Sequence, residues 1–140
     1  LKDGGIMAKK TSISKMKKYI RDKYFNRYIR LRDADESGYC VCVTCGARHM
    51  WNSGAIHAGH FKHGLDFVED NQHAQCNACN TYSHPEAEYT LYMVDRYGRE
   101  RTDEIIFLSK NRPIYSRSEL EEIRETYKGK VKELEKHACI

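Results

Sequence analysis

Two short cysteine pairs constrain this chain more than any other feature. Cys42-Val-Thr-Cys45-Gly46 and Cys76-Asn-Ala-Cys79-Asn80 leave thirty residues between Cys45 and Cys76. A Cys-x-x-Cys turn lets both sulfurs face one ion, and two such turns supply the four thiolates of a tetrahedral zinc site. Gly46 permits the tight backbone that such a knuckle needs. Cys42, Cys45, Cys76 and Cys79 are therefore the expected ligands of a structural Zn2+. Cys40 competes with Cys42, but four residues separate it from Cys45, which makes a looser knuckle. Cys139 reads as a bystander. Three disulfides would suit a secreted chain, and a redox dithiol would suit a thioredoxin-like βαβ unit; neither context is visible here.

With 140 residues and 40% hydrophobic content, the chain allows one domain with a small core, which a metal staple would help to hold. No apolar run spans a bilayer and no signal-peptide core is seen near the start, so the expectation is a soluble cytoplasmic protein without a membrane partner. The net charge of +4 is unevenly spread. Residues 1–32 hold eleven Lys and Arg against two acids, residues 33–98 hold nine acids against three bases, and residues 99–140 are nearly balanced. A basic arm beside an acidic, metal-rich centre suits a protein that grips phosphates. Lys15, Lys17, Lys18, Arg21, Lys23, Arg27, Arg30 and Arg32 are the expected phosphate contacts. The same residues also read as a solvated basic helix, and both readings stand.

The expected fold class is α+β, with a small zinc-stapled core flanked by helices. Residues 1–12 read as a lead-in, 13–98 as a basic helix plus the zinc-bound core, and 99–140 as a helical region. Met16, Ile20, Tyr24, Tyr28 and Leu31 recur at helical spacing from about Ile13 to Asp33. Ser37-Gly38 marks a turn. Residues 39–44 and 54–61 have β character, and 64–72 read as a loop. After Cys79 either one helix begins near Pro85 or a short turn from Cys76 to His84 precedes it; it stops at Gly98. A short helix is expected over residues 102–110. Ser118-Glu119-Leu120-Glu121 reads as a capping box that starts the last helix. That helix carries Leu120, Ile123, Tyr127, Val131 and Leu134 on one stripe, either a dimer seam or a face packed on its own domain.

The loop between the knuckles is rich in histidine. Gly59-His60-Phe61, Glu69-Asp70-Asn71 and Cys79-Asn80 follow one another in the order of the HNH, or ββα-metal, nucleases. Residues 24–98 resemble the phage NinG/Rap recombination nucleases. The matching pieces are Tyr28-Ile29-Arg30-Leu31-Arg32-Asp33, Gly38-Tyr39-Cys40, the two knuckles, Gly59-His60-Phe61, Asn71-Gln72-His73-Ala74-Gln75-Cys76 and Tyr97-Gly98. The Cys-Asn junction is also similar to endonuclease VII-type resolvases. The resemblance implies a ββα-metal core and a metal-dependent endonuclease. In that reading His60 is the general base, Asn71 holds the loop and orients His60, and Asn80 places an oxygen on a catalytic Mg2+ or Mn2+. His84 is a second candidate ligand, because a helix would set it on the face of Asn80.

One departure matters. Many HNH nucleases carry Asp directly before the first His, and here that position is Gly59. His57, His63 or His84 would have to supply the missing ligand, or Asp66, Glu69 or Asp70 would have to swing in. On an extended strand, His57 and His63 point away from the face of His60, which favours a surface or DNA-facing role. His49, His73 and His137 read as packed or surface residues. The resemblance further implies branched DNA, such as a Holliday junction or D-loop, as substrate, a homodimer to cut both strands, and action in the cytoplasm of a bacterial host. The competing readings are a zinc-stabilised DNA-binding module without catalysis and an HNH endonuclease acting on ordinary duplex.

Overall fold

A computed structural model describes residues 11–137. Ser12 opens the first helix, its side chain accepting from the Lys15 amide at 3.1 Å. Helix α1 (Ile13–Ile20), a π-helical turn (Arg21–Phe25) and helix α2 (Asn26–Asp33) run on without a break. The π turn carries one more residue per turn than an α-helix, so it shifts the inward stripe. Phe25 and Ile29 are fully buried beside Tyr24, and Tyr28 is left partly exposed. The helix expected over 13–33 is therefore present, with two core residues that a strict 3.6-residue period does not mark.

Strand β1 (Tyr39–Val41) pairs antiparallel with β2 (Arg48–Met50), Cys40 opposite His49. The first cysteine pair lies in the turn between them, where Gly46 has φ +83°. Strand β3 (Ile56–His60) pairs antiparallel with β4 (Gln72–Cys76), Ile56 opposite Cys76 and His60 opposite Gln72. The connection between β3 and β4 ends in a 3-10 turn, Glu69–Asn71. The loop expected over 64–72 thus gives way to a strand that sequence reading did not mark. All five residues of β4 are buried, so no alternation of polar and apolar faces advertises it. A second π-helical turn, Ala78–Ser83, follows, and His84 closes it with φ 44°. Helix α3 (Glu86–Tyr97) starts after Pro85, the arrangement with a short turn before the helix.

Gly98, at φ 89°, reverses the chain into α4 (Arg99–Lys110), three residues earlier than expected. Helix α5 (Arg117–Glu135) is capped by Ser116, not Ser118: the Ser116 side chain accepts from the Glu119 amide, and Glu119 accepts from the Ser116 amide at 2.8 Å. Two Ser-x-x-Glu frames overlap here, and the one nearer the preceding loop wins.

The α5 stripe packs within the chain. Leu120 joins Met16 and Ile20; Tyr127 joins Tyr24, Phe25, Ile29 and Ala58; Val131 joins Leu31, Trp51 and Ile56. A separate cluster of Phe61, Leu65, Tyr89, Met93 and Ile105 binds α3 and α4 to the connection after β3. Between these clusters the β3–β4 hairpin is held from both sides. No helix among the described residues is long and apolar enough to cross a membrane.

Candidate active site

The four expected cysteines come together. Their sulfurs all lie within 4.8 Å of one another, and Cys45 Sγ stands 3.7 Å from Cys76 Sγ. A tetrahedral zinc with Zn–S bonds of about 2.3 Å would set sulfur pairs roughly 3.8 Å apart, so the cluster fits that ion. Burial opposes ionisation of Cys42, but the Thr44 hydroxyl and the backbone amides of Cys76, Thr44 and Cys45 outweigh it and favour the thiolate. Cys40 is not part of the cluster. It is buried, donates to the Arg30 carbonyl at 3.3 Å, and its thiol is pushed up to about 12, chiefly by burial. Cys139 lies outside the described residues.

Next to the cluster a cavity of about 280 Å³ opens, lined by His60, His63, Gln75, Asn80, His84 and Glu86 among others. Strand β3 delivers His60 at its last position. Beyond it the chain turns, so the alternation argument no longer applies to His63, whose ring lies 6.1 Å from that of His60. Asn80 and His84 do reach one cavity, although a π turn and a left-handed residue bring them there instead of an α-helical face. His57 is partly buried and meets Asn80: Asn80 Nδ2 and His57 Nδ1 are 2.9 Å apart. With the amide nitrogen donating to that ring, Asn80 Oδ1 is left for other partners.

Asn71 is fully buried and clamps the turn after His60. Its Oδ1 accepts from the Lys62 amide at 3.0 Å, and its Nδ2 donates to the carbonyls of Lys62 and Leu65 at 3.0 and 3.2 Å. The Asn71 carbonyl accepts from the Phe61 amide at 2.7 Å. It grips the backbone around His60 and makes no direct bond to the ring.

The His60 ring meets Asp66 instead. Nε2 is buried without a hydrogen bond, 3.8 Å from Asp66 Oδ1. Asp66 is buried beside Lys17 (3.3 Å) and Arg21 (3.5 Å). The His60 ring, then Arg21 and Lys17, hold its carboxyl down at about 2 against the opposing effect of burial. The other two acids that were to swing toward the metal are held elsewhere. Glu69 accepts from Tyr28, Tyr127 and Lys130 at 3.2, 2.6 and 2.7 Å. Asp70 takes a two-pronged grip from Arg101, both contacts at 2.8 Å.

The basic helix is less free than its sequence suggests. Lys17 and Arg21 hold Asp66, Lys18 pairs with Asp22, and Lys23 lies over the rings of Tyr19 and Tyr24. Arg27 pairs with Glu135, Arg30 donates to the Trp51 carbonyl, and Arg32 donates to Asp33 and to the carbonyls of Glu69 and Gln72. Of the two places the sequence allowed it, packed or surface, His73 takes the packed one. Its Nδ1 lies 3.2 Å from the Tyr89 hydroxyl, which donates to the Gly59 carbonyl at 2.7 Å, and its Nε2 lies 2.7 Å from the Tyr97 hydroxyl. Burial pulls its pKa down to about 4.

A model of the family described as "Bacteriophage Lambda NinG protein" matches residues 5–137. The chain belongs to the NinG family. Protein ninG of Escherichia phage lambda is 31% identical over 112 residues, covering 78% of this chain and 52% of the relative. Protein ninG of Salmonella phage P22 is 30% identical over 112 residues, covering 78% of this chain and 53% of the relative. The chain thus spans about half the length of these NinG relatives. No solved structure gives a significant match.

Sequence reading gave Glu86 and Gln75 of the cavity wall no role, and it did not pair His57 with Asn80. The role of His57 depends on the π turn that brings Asn80 back over β3. Glu86 reaches the cavity only because α3 starts there. Gln75 had one available signal: a glycine inside a strand, Gly59, marks the close approach of another group.

Proposed function

We propose that this chain is a metal-dependent DNA endonuclease with a ββα-metal (HNH) core, acting on branched recombination intermediates in the cytoplasm of an infected bacterium. The observation that carries the reading is the meeting of His60, Asn80 and His84 in one cavity beside the four-cysteine cluster, with Asp66 behind His60. The β3–β4 hairpin and the helical segment after it supply the ββα arrangement. Zinc held by the four cysteines would fix Asn80, which directly follows Cys79.

The chemistry follows from the contacts. Asp66 beside Nε2 favours the tautomer with its proton on that nitrogen, which leaves Nδ1 to take the proton of an attacking water. Proton uptake makes an imidazolium, and the Asp66 carboxylate, kept ionised by Lys17 and Arg21, stabilises it. Asn71 holds the backbone so that the ring stays in place. Asn80 and His84 fit a divalent cation, Mg2+ or Mn2+, through an amide oxygen and an imidazole. When bound, such a cation supplies charge stabilisation to the phosphate and the leaving oxygen.

The test uses a labelled four-way junction and the matching linear duplex, with Mg2+, Mn2+ or chelator. Junction-selective cutting that needs metal and falls at least a hundredfold in His60→Ala supports the reading. Binding without cutting under every metal condition would replace it with a zinc-stabilised DNA-binding module. Equal cutting of linear DNA would make it an HNH nuclease for ordinary duplex.

A further inference from the structure

We infer that Gln75 supplies the oxygen ligand that Gly59 cannot, completing the divalent-cation site of the cavity. This assignment rests on the nuclease reading above and names a residue which that reading lacks. The argument begins with space. A Cβ built on Gly59 would lie 2.0 Å from Gln75 Oε1, 2.8 Å from its Cδ and 2.9 Å from its Cβ. The Gln75 amide therefore fills the volume into which any side chain at position 59 would grow. An acid at position 59 would have to push the Gln75 amide out of this place; this chain has glycine at 59 and the glutamine at 75.

The second point is orientation. Gln75 lies on the wall of the cavity with His60, Asn80 and His84, yet the residue as a whole is only 3% exposed. Its Nε2 donates to Thr44 Oγ1 at 3.1 Å. Thr44 Oγ1 in turn lies 3.3 Å from Cys42 Sγ, so the four-cysteine cluster anchors the amide nitrogen. Gln75 Oε1 is not among the buried atoms without a partner, and no described residue donates to it. Asn80 repeats the pattern, its nitrogen tied to His57 Nδ1. Two amides thus have their nitrogens anchored outside the cavity, which leaves the oxygens as the groups that can serve it. Amide oxygens are ordinary ligands of hard divalent cations. The carboxylate on the cavity wall, Glu86, is exposed and pairs with Lys62 at 2.9 Å. A site of two neutral amides and imidazole suits Mn2+ better than Mg2+, because imidazole prefers the softer ion.

The experiment titrates Mn2+ into the zinc-loaded chain and reads free Mn2+ by electron paramagnetic resonance, with zinc content and melting temperature measured alongside. Wild type is expected to bind one Mn2+. Gln75→Ala should weaken binding at least tenfold, and Gln75→Glu, which keeps the length and adds a charge, should tighten it by a similar factor. Gly59→Asp combined with Gln75→Gly, which removes the steric conflict, should recover binding lost in Gln75→Gly alone. Wild-type affinity in both Gln75→Ala and Gln75→Glu, while Asn80→Ala loses Mn2+, overturns the assignment and leaves the nuclease reading standing. If Gln75→Ala also loses zinc, Gln75→Glu decides alone: no tightening overturns the proposal. Failure of wild type to bind Mn2+, or binding that Asn80→Ala and His84→Ala leave untouched, overturns both.

Discussion

A Cβ on Gly59 would stand 2.0 Å from Gln75 Oε1, so a side chain at position 59 and the Gln75 amide cannot both keep their places. Gly59→Ala should displace the Gln75 amide and cost roughly 1–3 kcal/mol in denaturant unfolding, the usual range for overpacking a closed site. Wild-type stability would mean that Gln75 moves aside freely. Arg32 makes the opposite point about charge. It sits among the expected DNA contacts, but it donates to Asp33 and to the carbonyls of Glu69 and Gln72. Arg32→Ala should therefore destabilise the fold by roughly 2–4 kcal/mol, because the partners lose a charged donor in a partly buried site. Residue types at fixed spacing were enough to gather the four cysteines, and they singled out His60 and Asn80, which line one cavity, and Asn71, which clamps the turn after His60. Spacing named Asp66 only as a candidate metal ligand and gave Gln75 no role, because their places beside His60 and Gly59 come from the folded chain; the charge of Arg32 is visible while its partners are not.

Elements were legible where one face is apolar and illegible where polar groups are buried in pairs. The stripes of α1, α2 and α5 show in the sequence because water and core alternate along them. Strand β4 does not, because Gln72, His73 and Gln75 find partners inside: Gln72 donates to Asn26 and Ala58, His73 meets two tyrosines, and Gln75 donates to Thr44. A strand built that way shows no alternation to read. The start of α5 is a finer case, two overlapping capping frames of which one is used. Ser116→Ala should cost about 1 kcal/mol in thermal or chemical unfolding, whereas Ser118→Ala should cost a few tenths at most. The reverse order would move the helix start by two residues.

For the whole molecule, acid stability turns on His73. Its folded pKa of about 4 lies below the ordinary value of 6.5, so the unfolded chain binds the proton more readily. The stability due to keeping this ring neutral is complete above about pH 6.5 and falls as the pH drops toward 4, by an amount on the order of 3 kcal/mol. Urea midpoints measured from pH 7 to 4 should show that decline, and His73→Gln should flatten it. Removing metal from the four-cysteine cluster is a second global test. The segment between Cys42 and Cys79 carries His57, His60, Asn71 and Gln75, so a chelator strong enough to take zinc should abolish the cavity and the fold signal together. Loss of one without the other would separate the cluster from the site.

The grip of α5 on the rest of the chain has a practical consequence. Glu69 accepts from Tyr127 and Lys130 of α5, Arg27 pairs with Glu135, and Arg117 donates to Thr11 and to Met16. Residues 111–116 cross between α4 and α5 without regular structure. A protease cut there would give two fragments, each with an open apolar face shaped to the other. Mixed in solution, they should reconstitute a native-like complex, and the 111–116 bridge becomes the natural place to split this molecule into a two-piece reporter of its own assembly.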